Sequence, residues 1–484
     1  MQEIDIAAVK QKSIHGIIAL TSRTFFIQLV NFSASLLLTI FLAPAIFGVF
    51  FIVSAVIAFL TYFSDIGLAA ALIQKKESLT KEDLKTTFTI QQALVLSLVT
   101  LALLFSERIG YFYNLGEDGV FLFQALAISF FLSSLKTIPS IILERDLNFT
   151  KLVIPQIVET VFFNVIAVGL AINGFGIASF SYAVLARGFS GLVAIYLISP
   201  WKPALGFSSV SAKKLLSFGV PFQLNSFLAL IKDDLFIAFL GKILPFAQVG
   251  YIGFAQKWAF MPLRLVMDNV IRITFPSFSR LQDEKEILGK AIEKSVFAAS
   301  FIIFPALAGL FVLSPYFIEI IPRYTKWEPA LLSVWFFSLS AALSSVSTPL
   351  TNALNAIGKI KITLYLMVFW TIATWSLTPL LIFLMGFNGV AVASAIIAVS
   401  TIVVVFIVKR LIQFNIINAL TNPVAGSIIM GAILFFISPY FVQGLFSLIS
   451  VIVFGAVIYF LTVYILGRDQ IKKDFVLIRQ NLRS

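Results

Sequence analysis

A chain of 484 residues that is 60% hydrophobic, only 12% charged and has a mean hydropathy of +1.00 is excluded from the soluble globular class, whose members carry about 25% charged residues. Its net charge of +12 and pI near 9.7 invite a nucleic-acid reading. The excess falls in loops, where it faces an anionic cytoplasmic leaflet, so membrane lipids are expected as partners and nucleic acid is not. The chain has no cysteine, which excludes disulfides, thiol nucleophiles and cysteine-ligated metals.

A bilayer core about 30 Å thick takes about 20 apolar residues per helix. Without water in that core, each span must close its own backbone hydrogen bonds. The sequence therefore predicts an all-α polytopic membrane protein of about fourteen transmembrane helices. They are placed at 17–42, 45–73, 84–106, 119–143, 152–172, 176–198, 218–240, 247–275, 289–313, 329–353, 360–385, 388–410, 420–441 and 444–466. The first run is too long for a signal peptide, and residues 1–13 show no cleavage site. It reads as a permanent helix behind a short amphipathic segment.

Breaks between the spans alternate in character. QKKESLTKED at 74–83, ERDLNFTK at 144–151 and SRLQDEKEILGK at 279–290 are charged, whereas APA at 43–45, NGFG at 173–176 and GFN at 386–388 carry no charge. Numbered from a cytoplasmic N-terminus, the breaks put 24 of the 35 Lys and Arg residues inside and four outside. By the positive-inside rule this predicts a multi-pass protein of the bacterial cytoplasmic (inner) membrane with both termini in the cytoplasm.

The longest polar break, SPWKPALGFSSVSAKKLLS at 199–217, divides the first twelve spans in half. GFGIA at 174–178 matches GFNGVA at 386–391, and LAPAIFGVF at 42–50 matches ILPFAQVGY at 243–251. Both matches are offset by six spans, an even number, so the halves form a parallel pseudo-repeat about an axis along the membrane normal. The expected domains are a six-helix bundle at 1–198, a cytoplasmic linker at 199–217 and a second six-helix bundle at 218–410. Two extra C-terminal helices at 411–466 and a basic cytoplasmic tail at 467–484 follow.

Charges inside spans normally face protein or water, because mid-bilayer placement is costly. In span eight, at about 100° per residue with Lys257 as zero, Arg264 falls at about −20°, Asp268 at about +20° and Arg272 at about +60°. Two readings stand. The stripe lines a hydrated cationic cavity open to the cytoplasm, or Arg264 and Asp268 pair at i,i+4 while Lys257 and Arg272 snorkel. In span seven Asn225 shares a face with Lys232, and Asp233 and Asp234 follow; they serve ion coupling or structural pairing. Arg23 of span one either snorkels or borders the same cavity. Arg187 in span six faces a cavity or pairs between helices. Asp65 and Glu159 stand as lone intramembrane carboxylates, whose burial raises a carboxyl pKa. Each is a proton carrier or a neutral acid bonded to a neighbouring helix. His15, the only histidine, sits at the membrane edge, so no metal site is expected.

These segments carry a resemblance. FLAPAIFGVFFIVSAV at 41–56, DIGLAAALIQ at 65–74, LERDLNF at 143–149 and the run from Asp233 to Gln282 resemble the polysaccharide exporters and lipid-linked oligosaccharide flippases of the multidrug/oligosaccharidyl-lipid/polysaccharide superfamily, of the O-antigen, teichuronic-acid and colanic-acid type. The resemblance covers about 10–410. It implies two six-helix bundles flanking a V-shaped cavity, with the last two helices outside. It also implies flipping of an undecaprenyl-pyrophosphate-linked glycan by alternating access, and nominates Arg23, Lys257 and Arg264 to meet the pyrophosphate. AFLGK at 238–242 departs from the shorter turn of relatives and shifts Lys242 outward, so it is given no substrate role.

No cofactor is expected beyond proton or sodium coupling, and association with a polysaccharide polymerase or glycosyltransferases is an open expectation. A multidrug or small-cation antiporter of the same fold would favour an acidic cavity, against the three cations and one acid of span eight. A membrane glycan polymerase or ligase would need charged external loops. The first external break has no charge, and ERD at 144–146, which mimics an acidic metal motif, falls on the cytoplasmic side.

Overall fold

The computed structural model describes residues 6–75, 77–224 and 227–467, with side chains from Arg23 onward apart from positions 221, 222 and 224. The start of the predicted N-terminal segment, the side chain of His15, Asn225 and the tail beyond Gly467 lie outside the described residues. Among these residues every regular element is helical. In chain order the helices are α1 (Ile6–Phe41), α2 (Pro44–Asp65), α3 (Leu68–Gln74), α4 (Lys81–Leu104), α5 (Ser106–Tyr113), α6 (Gly116–Ser134), α7 (Thr137–Arg145), α8 (Phe149–Ile172), α9 (Ala178–Ile198), α10 (Ser209–Leu224), α11 (Phe227–Lys232), α12 (Asp234–Ile243), α13 (Phe246–Arg280), α14 (Lys285–Ile320), α15 (Leu331–Ala356), α16 (Ile360–Met385), α17 (Gly389–Ala398), α18 (Thr401–Leu411), α19 (Ile416–Phe441) and α20 (Leu445–Leu466).

Among the described residues, eleven helical stretches are long and apolar enough to cross a bilayer. One of them, Ile360–Leu411, has 52 residues and covers two predicted spans. Its halves turn at Gly386, which has φ +62°, and α16 then packs along α17. Predicted spans seven and eight are not among the eleven. The first is interrupted at Asp233, between α11 and α12, and no stretch of α13 is both long and apolar enough. The chain is thus an all-α, multi-pass membrane protein.

The described residues form two compact units, 1–250 and 251–484. In the first, α8 packs on α1 and α9, α6 on α9 and α2, and α12 on α2. Predicted span two, 45–73, is not continuous. It breaks at Ile66 (φ +47°) and Gly67 (φ +72°), where Gly67 and Gly219 of α10 meet backbone to backbone. Both ends of the short α3 are capped by polar groups. Asp65 accepts the Ala69 N–H at 3.2 Å, and the Arg145 guanidinium donates to the carbonyls of Leu72, Lys75 and Glu77. The ERD arginine therefore serves to satisfy carbonyls at a helix C-terminus, where cations are favoured.

The predicted linker is itself ordered onto this unit. Gly206 and Ser208 donate their N–H groups to Thr89 and Thr86 of α4, and α10 buries Leu215 among Leu68, Leu72, Phe88, Ile138 and Ile141. The two turns matched in the sequence also meet. A Cβ on Gly48 of α2 would strike Phe246 backbone, and one on Gly250 of α13 would strike Pro44 backbone. In the second unit, α14 packs on α15 and α19, and α20 on α19. The two C-terminal helices are fixed by Leu313, Met430, Leu434, Leu448 and Tyr459, whose hydroxyl donates to the Phe301 carbonyl at 2.8 Å.

Candidate functional site

Helix α13 is amphipathic in an unusual sense for a span: one side is apolar and packed, the other charged and open. On the packed side Met267 sits among Ala299, Ile303, Leu307 and Ala341 of α14 and α15, and near the start of the helix Phe254 stacks on Trp327 with centroids 4.3 Å apart. Lower down, Asn352 donates to the Thr274 hydroxyl at 2.8 Å. These contacts fix the rotation of the helix. Lys257, Arg264, Asp268 and Arg272 all emerge on the opposite, exposed side.

At 1.5 Å rise per residue, Lys257 and Arg264 are separated by about 10 Å along the axis and Arg264 and Arg272 by about 12 Å. Among the described residues none forms an ion pair with Arg264, and Asp268 does not neutralise it. Each such charge facing acyl chains costs about 2.5–3.5 kcal/mol even on insertion scales. Three on one face point to water or a polar ligand beside α13 rather than lipid. The arrangement can bind an extended anion by charge and by the planar guanidinium fork.

In the first unit Glu159 anchors a cluster of paired charges. Glu159 of α8 is not a lone carboxylate: it accepts a hydrogen bond from Lys136 at 2.5 Å and lies 3.7 Å from Nε of Arg187 on α9. Its side chain crosses Gly191, where any Cβ would strike it. Lys136 and Glu159 are each 14% exposed, whereas Arg187 is 56% exposed. Lys136 was missed in the sequence. The available signal was a lysine within the apolar run 119–143, eight residues before Glu144.

The other predicted residues are dispersed. Arg23 is partly exposed on α1, which packs on α8. Asp65 is engaged with backbone at the α2–α3 break. Lys232 and Asp233 pair with each other at 2.6 Å across the α11–α12 break, leaving Asp234 in the first turn of α12. Lys242 donates to the Phe112 carbonyl at 2.8 Å and lies over its ring. Among the described residues no three His, Cys, Asp or Glu side chains group as metal ligands.

In sequence and in fold the chain resembles known proteins. Residues 37–331 match the profile of a family described as polysaccharide biosynthesis protein. The lipopolysaccharide biosynthesis protein WzxC of Escherichia coli (strain K12) is 24% identical over 343 residues, covering 67% of this chain and 66% of that protein. The teichuronic acid biosynthesis protein TuaB of Bacillus subtilis (strain 168) is 26% identical over 305 residues, covering 62% of each. The chain thus spans slightly under two thirds of the length of these two relatives. Among solved structures, the lipid II flippase MurJ in an inward closed conformation superposes with a TM-score of 0.78 at 17% identity, over 94% of this chain and 100% of that one. At that identity the likeness concerns the fold.

Proposed function

Because the chain belongs to the polysaccharide biosynthesis protein family, we propose that it is a transporter, not an enzyme: a flippase that carries a polyprenyl-pyrophosphate-linked oligosaccharide from the cytoplasmic to the outer leaflet. A pyrophosphate cannot enter hydrocarbon with its charge unsatisfied. A row of cations beside a watery cleft replaces its hydration, and the polyprenyl tail stays in lipid. Alternating exposure of that cleft then suffices, with no covalent step. The observation that carries the reading is the exposed face of α13, on which Lys257, Arg264 and Arg272 are fixed by the packing of the opposite face and Arg264 has no acid to neutralise it.

In this reading the basic breaks face the cytoplasm, both termini are cytoplasmic, and the bundles at 1–198 and 218–410 supply the alternation. Arg23 and the exposed side of Arg187 add further positive charge to this reading. Proton or sodium coupling falls to acids away from α13 that are not ion-paired within the described residues, among them Asp65 and Asp234. Glycosyltransferases supply the substrate and a polymerase or ligase consumes it, with direct association of either kind a part of the same proposal.

The test is complementation of a strain lacking its own exporter. Lys257→Ala with Arg264→Ala abolishes surface glycan at normal protein level, and Arg264→Lys restores part of it because charge survives without the bidentate fork. Full export by the double variant overturns the assignment.

A further inference from the structure

The connection between α9 and α10 has a feature that transport does not use. Gly206 N–H donates to Thr89 Oγ1 at 2.9 Å and Ser208 N–H to Thr86 Oγ1 at 3.0 Å. These threonines lie five and eight residues into α4, a candidate membrane span beginning at Lys81. That is about 7–12 Å along its axis, the depth at which a span passes through the headgroup region. Tied by 206 and 208, the extended chain turns the alternate residues outward: Leu205 is 74% and Phe207 68% exposed.

Helix α10 continues the pattern. Ala212, Leu215 and Gly219 face inward, Gly219 against the backbone of Ile66 and Gly67. Val210, Lys213, Lys214 and Ser217 face outward. Lys202 is also exposed, and the stem of Lys85 lies beside Gly206. No acid occurs between Ser199 and Lys232. Asp83, which bonds Ser211 from below, is buried and paired with Lys75.

We propose that residues 202–214 form a binding site for anionic phospholipid headgroups, with Leu205, Phe207 and Val210 inserted into the interface and Lys85, Lys202, Lys213 and Lys214 on the phosphates. Apolar residues at interface depth beside lysines, three of them in a stretch without acids, match the two requirements of an interfacial anchor, apolar burial and attraction to anionic lipid. Charge complementarity selects the occupant: neutral lipid satisfies the apolar residues but leaves the lysines without counter-charge. The inference depends on the proposed orientation of the basic breaks and not on the transported substrate.

The natural absence of cysteine makes the test direct. Phe207→Cys, and separately Val210→Cys, is labelled with an environment-sensitive nitrobenzoxadiazole dye in the full-length protein. The protein is reconstituted into vesicles of phosphatidylcholine alone or mixed with phosphatidylglycerol. The expected result is a blue-shifted emission, quenched by lipids spin-labelled near the headgroup, in the anionic vesicles. Lys202→Gln/Lys213→Gln/Lys214→Gln, or high salt, abolishes the shift. Water-like emission in both membranes overturns the proposal, as does a signal exposed in vesicles and shielded only on addition of cytosolic protein. Shielding that is equal in both membranes and indifferent to the triple substitution overturns the anionic site.

Discussion

The exposed face of α13 and the Lys136–Glu159–Arg187 cluster answer the same physical problem in opposite ways. Both gather several charges on or beside long helices of the membrane domain. In the cluster, a carboxylate and an ammonium, each 14% exposed, lie in contact, and a glycine on α9 makes the space. On α13 the cations emerge on one side, and the single acid near them is not in contact with Arg264. Charge inside a membrane must be balanced by a partner or by water. Where the protein supplies a partner the group is structural, and where it supplies none a ligand can.

That contrast predicts opposite phenotypes. The largest effect is on function: Arg264→Ala removes export in the complementation assay yet leaves the melting temperature in detergent unchanged, and a destabilised variant would mean the residue is structural after all. Next is Glu159→Ala, which strands Lys136 in a buried site. Breaking one side of a buried pair costs about 3–5 kcal/mol, seen as a clear drop in melting temperature and in folded yield. The compensated change Lys136→Met with Glu159→Leu recovers most of it; failure to recover would assign the cluster a role beyond pairing.

A third variant probes the scaffold that both regions depend on. Gly67→Ala combines a φ of +72° with a collision against Gly219 backbone and costs about 1–3 kcal/mol, measurable by thermal unfolding. Smallest is Asp268→Asn. With no ion pair to Arg264 to lose, it changes stability by less than about 0.5 kcal/mol. A larger loss would show that the acid does offset the stripe.

Much of this was legible in one dimension. The charged face of α13 could be drawn from spacing alone, because helical periodicity fixes which side each residue takes. What spacing left open was the choice between a paired and an open stripe, which depends on side-chain conformation. Glu159 reads as solitary in the sequence because its partners stand 23 residues before and 28 after it, and no local rule links them. Asp65 reads as a proton carrier or a bonded neutral acid, and its place over the α3 amides is not legible because the break at Ile66 and Gly67 falls in an unbroken apolar run. Span seven likewise reads as one helix and is interrupted at Asp233.

The sequence by itself determined that the chain is helical and crosses a membrane many times, because apolar length and backbone hydrogen bonding in hydrocarbon leave no other solution. It determined the sides of α13 for the same local reason. Only the tertiary structure decided which charges are neutralised and that the 199–217 connection is bound to α4, because pairing depends on which distant helices are brought within a few ångströms.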